Sequence, residues 1–315
     1  MKKRIAITAI FACLAVTVMK ADDVKYPRVQ VIEDCTGTWC GWCVHAIVAM
    51  DSLRQKYPDS FIGIAVHGQD AYEVEGYQPL RNRIQGYPGA FVNRTYCQTK
   101  PAEMETAFLY QAKTADCQIR IDEARFTDAT RSTLRITTNT VFGKAVTAGK
   151  YRVALVLLED SILDTQKNYY AGSQMGQMGG FESLPNECQI YLMDVARDVT
   201  TYYGIENSLP TAMDAGRDYT FEYDYPMPAT IQDMGHVSVV AMIVNEKGGR
   251  IFNATKCSNL LDYDATPAAD GVSAVSTVGS RPVVYTVSGT QQRHPTAGIS
   301  IVRDTDGQVR KAIRK

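Results

Sequence analysis

Thr36-Gly-Thr-Trp-Cys-Gly-Trp-Cys43, entered from the apolar run Val29-Gln-Val-Ile32 and left through Val44-His-Ala-Ile-Val-Ala-Met50, decides the reading of this chain. The run before it has the β-branched character of a strand. Apolar residues at Val44, Ile47, Val48 and Leu53 return at helical spacing, so the stretch reads as strand, turn and helix. Cys40 therefore falls near a helix N-terminus, where free backbone N–H groups and the positive dipole end favour an anion. A thiol so placed drops from about 8.5 toward about 3.5 to 7.5 and becomes a nucleophile, while Cys43, one turn later, is shielded. Two sulfurs at this spacing close a small disulfide, and the exposed one exchanges with other disulfides. The other readings are half of a zinc site, although no second Cys-x-x-Cys exists in the chain, and an inert structural disulfide.

The pattern Trp39-Cys-Gly-Trp-Cys43 resembles the active-site turn of thioredoxin. Asp34 stands six residues before Cys40, where that family carries a buried acid that takes the proton of the second cysteine. Pro88, in Gly86-Tyr-Pro-Gly-Ala-Phe-Val-Asn93, stands where it carries a cis-proline; a cis bond costs little only before proline. The resemblance implies a thiol-disulfide oxidoreductase. In it Cys40, next to Trp39, attacks, Cys43 resolves, Asp34 handles a proton and Pro88 aligns the partner chain. Taken without the resemblance, Asp34 is a strand-end carboxylate and Pro88 an ordinary turn residue. Trp42 replaces the proline usual between the thioredoxin cysteines, which leaves the direction of electron flow open.

Outward from this turn, Met1-Lys-Lys-Arg4 followed by the apolar run Ile5 to Met19 has the form of a secretory signal, cut after Ala21. Ile10-Phe-Ala-Cys13 loosely resembles a lipoprotein box, but bulky Phe11 and continuing apolar sequence favour simple cleavage. The remainder is long enough for two domains. A net charge of −1 exerts no bulk pull on nucleic acid, and 45% hydrophobic with 21% charged residues is an ordinary globular composition. No other apolar run is long enough to cross a membrane. An exported chain with cysteines meets an oxidising compartment, where disulfides persist.

Residues 22–116 read as an α/β thioredoxin-like domain. Strand Val29 to Glu33 feeds the turn, and a helix runs to Tyr57, ended by Pro58. Phe61-Ile-Gly-Ile-Ala-Val66 has the unbroken apolar character of a strand buried on both faces. A short helix spans Tyr77 to Ile84, a strand Ala90 to Asn93, and a helix opens at Pro101 and continues to Thr114. From Cys117 the period changes. Gln118 to Phe126, Arg131 to Val141, Tyr151 to Leu158, Gln189 to Ala196, Tyr219 to Tyr223, His236 to Val244 and Ile251 to Ala254 read as strands without intervening helices. Residues 117–262 are thus expected to form an all-β sandwich of immunoglobulin-like build. Residues 263–281 read as a linker, and residues 282–315 as a small C-terminal β segment.

The signal, the cysteine turn, the Gly-Tyr-Pro segment ending Asn-Arg, and the sandwich runs Ala154 to Asp160 and Val239 to Asn245 together resemble the Omp28-type outer-membrane protein family over Val29 to Leu261. Val44 and His45 depart from the Pro-Arg usual there after the second cysteine. The resemblance implies an envelope location, with outer-membrane association, and establishes no reaction. The last segment resembles a shortened sorting domain of type IX secretion; a β-module packing on the sandwich is the plainer alternative.

Of the eight cysteines, Cys97 with Cys117 and Cys188 with Cys257 are candidate structural disulfides, and Cys35 reads as a core residue. His45 is expected to face solvent and His67 to pack near Asp70. Met175-Gly-Gln-Met-Gly-Gly180 reads as a mobile loop, with copper ligation as the alternative. The expectation is therefore an exported thiol-disulfide oxidoreductase acting on protein disulfides with an envelope electron donor, and with no cofactor or metal. Against it stands an envelope binding or structural protein whose Cys-x-x-Cys is a clasp.

Overall fold

The computed structural model describes residues 23–173 and 178–264, together with the backbone of residues 283–286, 291–292, 298–303 and 309–314. The expected signal and Cys13, Met175, and most of the expected linker lie outside the described residues. The chain divides into two compact units, with the break after Asp264.

In the first unit the strands are β1 (Tyr26–Pro27), β2 (Gln30–Thr36), β3 (Phe61–His67), β4 (Gly89–Val92), β5 (Thr95–Cys97), β6 (Thr114–Ala115), β7 (Cys117–Phe126), β8 (Thr133–Phe142), β9 (Tyr151–Glu159), β10 (Ile162–Lys167), β11 (Glu187–Leu192), β12 (Val195–Val199), β13 (Asp218–Pro226), β14 (Val237–Asn245) and β15 (Ile251–Cys257). Three helices, α1 (Val44–Lys56), α2 (Gln78–Arg81) and α3 (Pro101–Leu109), complete it. The unit is mostly β, as the alternating runs require.

One eight-stranded sheet runs in the order β15-β14-β9-β12-β3-β2-β4-β5. Strands β2 and β3 are parallel, and α1 is the crossover that parallel neighbours need. Every residue of β2 is buried because both faces of the strand are covered. Val31 and Cys35 face one core with Ile62, Ile64, Val66, Leu80 and Phe91. Ile32 faces another, with Ala46, Ala49 and Leu53 of α1 and Met104 and Phe108 of α3. Helix α1 stops at Tyr57, whose N–H closes on the Leu53 carbonyl at 2.8 Å, since the residue before Pro58 is pushed out of helical geometry.

A three-stranded sheet, β13-β8-β7, packs on the β9–β14 end of the large sheet. Val153, Leu155, Leu157, Val239, Ala241 and Ile243 meet Ile119, Phe126, Leu134 and Ile136 there, giving the sandwich read from the alternation. The other faces of β9 and β14, through Ala154, Val156, Leu158, Val240 and Met242, join the core that Val31 and Ile64 enter. Residues on both sides of position 117 therefore share one sheet and one core. The seam is β12, whose Val195 pairs with Ala65 of β3 while the Ala65 N–H donates to the Asp194 carbonyl at 2.8 Å.

Elements differ from the expectation at three places. The helix expected from Pro101 to Thr114 ends at Leu109, and Thr114 lies in β6. The run Gln189 to Ala196 is not one strand: the chain turns at Asp194, φ +53°, and divides into β11 and β12. Strand β10, to which the sequence assigns no element, pairs antiparallel with β11 to form a separate hairpin. In the second unit, β16 (Val283–Thr286), β17 (Gln291–Gln292), β18 (Gly298–Arg303) and β19 (Val309–Arg314) form an antiparallel sheet in the order β17-β16-β18-β19.

Candidate functional site

Cys40 and Cys43 are joined by a disulfide. The chain leaves β2 at Thr36, makes a turn in which the Cys40 N–H donates to the Gly37 carbonyl at 3.0 Å, and enters a short 3-10 turn, Gly41–Cys43, that runs into α1. Local sequence thus places the pair where the strand-turn-helix reading put it.

The surroundings of the turn are tied to it on both sides. The Thr38 N–H donates to Asp70 Oδ2 at 2.9 Å, and the same oxygen lies 2.7 Å from His67 Nδ1. Burial works against the Asp70 charge, yet these hydrogen bonds hold its carboxyl below the ordinary value. Trp39 Nε1 donates to the Gly68 carbonyl at 2.9 Å, and its ring meets Tyr87 edge-on at 5.3 Å. Tyr87–Pro88 is a cis peptide, as expected of Pro88, and it lies beside the turn through that Tyr87–Trp39 contact.

Asp34 is 2% exposed. Its neighbours across the sheet are Ala65 of β3 and Ala90 of β4, so no cation offsets its burial. The carboxyl is pushed up to about 8, and Oδ1 has no hydrogen-bond partner. Asp34 lines a cavity of about 50 Å³ whose walls include Ile47 and Met50 of α1, His67, and Gln166, Ile190 and Leu192 of the β10–β11 hairpin. That is room for water beside a protonated acid. The strand-end carboxylate in solvent is thereby excluded.

The other side of the turn is covered by the chain itself. Gln166 Nε2 donates to the Cys40 carbonyl at 2.9 Å and reaches the Gly37 carbonyl at 3.3 Å. The Lys167 N–H donates to the Thr38 carbonyl at 2.8 Å and the Tyr169 N–H to the Gly41 carbonyl at 3.2 Å. Four carbonyls of the turn therefore accept from the end of β10 and from Tyr169 just beyond it. Gly41 is required here, since a Cβ at that position would stand 2.4 Å from the Tyr169 ring. Trp42 packs edge-on against Tyr169 and Tyr170, at 5.4 and 5.8 Å. As a result Cys40 is 4% exposed and Cys43 fully buried, while the rings of Trp39 and Trp42 stay 40% and 46% exposed.

Several expectations are corrected. Cys97, Cys117, Cys188 and Cys257 are free thiols rather than two structural disulfides. Each lies in its own strand setting, and burial pushes Cys97 and Cys117 up to about 12 and Cys188 upward as well. His45 does not face solvent: it is buried, Nδ1–H donates to the Thr99 carbonyl at 3.0 Å, and burial lowers its pKa. Cys35 is a core residue as expected, its thiol raised by burial and then by the Asp34 charge. His67 packs on Asp70 as expected, whereas Gln166 and Tyr169 have no motif to announce them.

No curated protein matches the chain. Among solved structures, HBP35 of Porphyromonas gingivalis aligns over 91% of this chain and 98% of that chain with a TM-score of 0.52 at 15% identity, a likeness of fold. A domain of the outer membrane lipoprotein Omp28 from the same organism aligns over 48% of this chain and 92% of that chain, with a TM-score of 0.26 at 15% identity. No helix among the described residues is long and apolar enough to cross a membrane. The family model for outer membrane protein Omp28 matches residues 81–258, beginning after the cysteine turn and taking in the hairpin that covers it. That match spans more than half of the sequence, and the chain belongs to the Omp28 outer membrane protein family.

Proposed function

We propose that this is an envelope protein of structural or binding type in which the Cys40–Cys43 disulfide is a clasp, holding the turn in the shape that the β10–β11 hairpin seats upon. The observation that carries this reading is the burial of Cys40 beneath Gln166, Lys167 and Tyr169. A partner thiol must reach a sulfur to exchange with it, and this sulfur lies under four hydrogen-bonded contacts of its own chain. Family membership supports the envelope location. In an insulin-reduction assay with dithiothreitol as donor, the full chain is expected to add nothing to the background rate; turnover abolished by Cys40→Ser would overturn the clasp.

Asp34 favours a second reading, an exported thiol-disulfide oxidoreductase with a thioredoxin-like N-terminal region. A buried acid pushed to about 8 is a competent proton carrier near neutral pH. Pro88 directly follows Tyr87, whose ring packs on Trp39 of the turn at 5.3 Å, and that position supports Pro88 as the residue that aligns a partner chain. On this reading Cys40 attacks, Cys43 resolves, the partners are protein thiols and disulfides with an envelope electron donor, and the hairpin must lift in each cycle. Turnover in the insulin assay is the result that would select it.

A further inference from the structure

A second depression, of about 380 Å³, has a volume in the range of small-molecule sites. Every residue lining it, from Gln69 to Tyr87, belongs to the connection between β3 and β4. Arg81, which lines it, is 8% exposed. Its Nη1 donates to the Val74 carbonyl at 2.7 Å, and its Nη2 donates to Glu73 Oε1 at 2.7 Å and to Gln78 Oε1 at 2.8 Å. A guanidinium has five N–H groups, so two of them, on Nε and Nη1, are left without an acceptor among the described residues. Glu73 Oε2 in turn accepts from the Gln69 N–H at 2.6 Å, which ties the rim to the floor. Gly68 lets these groups close on the backbone, since a Cβ there would collide with the Tyr87 hydroxyl and stand 3.0 Å from Arg81 Cδ. The floor is therefore built before any ligand arrives.

The chemistry of the walls selects the ligand. The Arg81 charge is matched by Glu73, so the floor has no need of an anion. Gln69 and Gln85 line the depression as exposed side chains, and their amides have no partner among the described residues. An amide side chain donates and accepts at once, as a sugar hydroxyl does. Ile84 and the half-buried ring of Tyr87 add an apolar patch with a hydroxyl at its edge. None of the lining residues lies on a strand, so an extended peptide finds no ladder to join. We propose that this depression binds a neutral saccharide unit. Its hydroxyls bond to Gln69, Gln85 and the spare N–H groups of Arg81, and its C–H face lies against Tyr87 and Ile84. A member of an outer membrane protein family meets such sugars either free or as units of a glycan chain. The inference adds a ligand class and goes beyond the clasp, which the insulin assay tests on its own.

The test is saturation-transfer NMR on the full chain, with maltotriose and triacetylchitotriose as probes. Transfer to the ring protons of at least one of them is expected. Gln85→Ala is expected to weaken that binding about 3- to 10-fold, and Gly86→Trp to abolish it. A Cβ at Gly86 meets nothing within 4 Å, so the indole has room to enter the depression that Gly86 lines. Transfer to neither sugar from the wild-type chain overturns the proposal without any assumption about the variants. Transfer that both variants leave intact also overturns it, as does stronger transfer to a capped alanine tripeptide than to either sugar. Glucose and N-acetylglucosamine separate the two sources. A monosaccharide that binds as tightly as its trisaccharide supports the proposal with a free sugar as ligand, and a tighter trisaccharide supports it with a glycan chain.

Discussion

Asp34 shows what a single residue contributes. Its folded value, about 8 against 3.8, means that the native state holds a proton that the unfolded state has already released throughout that window. Stability then falls as pH rises from about 4 to 8, because the native state binds more protons than the unfolded one. Asp34→Asn removes the titration. Measured by urea unfolding, the variant is expected to gain stability relative to wild type progressively as pH rises from 5 to 8, by at most about 4 kcal/mol at pH 7. A difference between the two that does not change across that range would show that Asp34 is ionised. The sequence placed Asp34 at the right step of the strand, but its protonation depends on Ala65 and Ala90 beside it, which no local pattern reveals.

At the scale of elements, β2, α1 and β3 could be read directly, because unbroken apolar runs and a proline stop are local signals. The turn with Cys40 and Cys43 was likewise visible. The hairpin was not, for a physical reason: the inward positions of β10 are Ile162, Asp164 and Gln166, so the strand lacks an apolar face. Its polar side chains are satisfied by the carbonyls of the turn and by Tyr72, whose hydroxyl donates to Asp164 Oδ2 at 2.6 Å. With the hairpin unread, the burial of Cys40 could not be foreseen. Gln166→Ala strips the Cys40 carbonyl of its donor and is expected to cost about 1–2 kcal/mol. It also speeds alkylation of reduced Cys40 relative to wild type in a mass-spectrometric time course; an unchanged rate would mean that the hairpin does not control access.

At the scale of the whole molecule, the unit up to Asp264 is held together across the position where the sequence suggested a boundary. Arg94, φ +68°, is buried with Glu33 of β2 at 3.1 Å. Its guanidinium also donates to the Tyr202 and Gly249 carbonyls and stacks 3.7 Å from the Tyr202 ring centroid. One cation thus ties β2 to segments that precede and follow β14. Arg94→Met leaves the Glu33 carboxylate buried without its partner and is expected to cost about 3–5 kcal/mol, read by urea unfolding. The shared core predicts one cooperative transition for this unit; two well-separated transitions would show that the halves fold independently.

The covered disulfide is best tested by the rate at which dithiothreitol reduces Cys40–Cys43 in the native full chain, compared with the same chain in denaturant. Reduction at least about 100-fold slower in the native state is predicted, since the hairpin must open before the sulfur is reached. Equal rates in the two states would contradict the account.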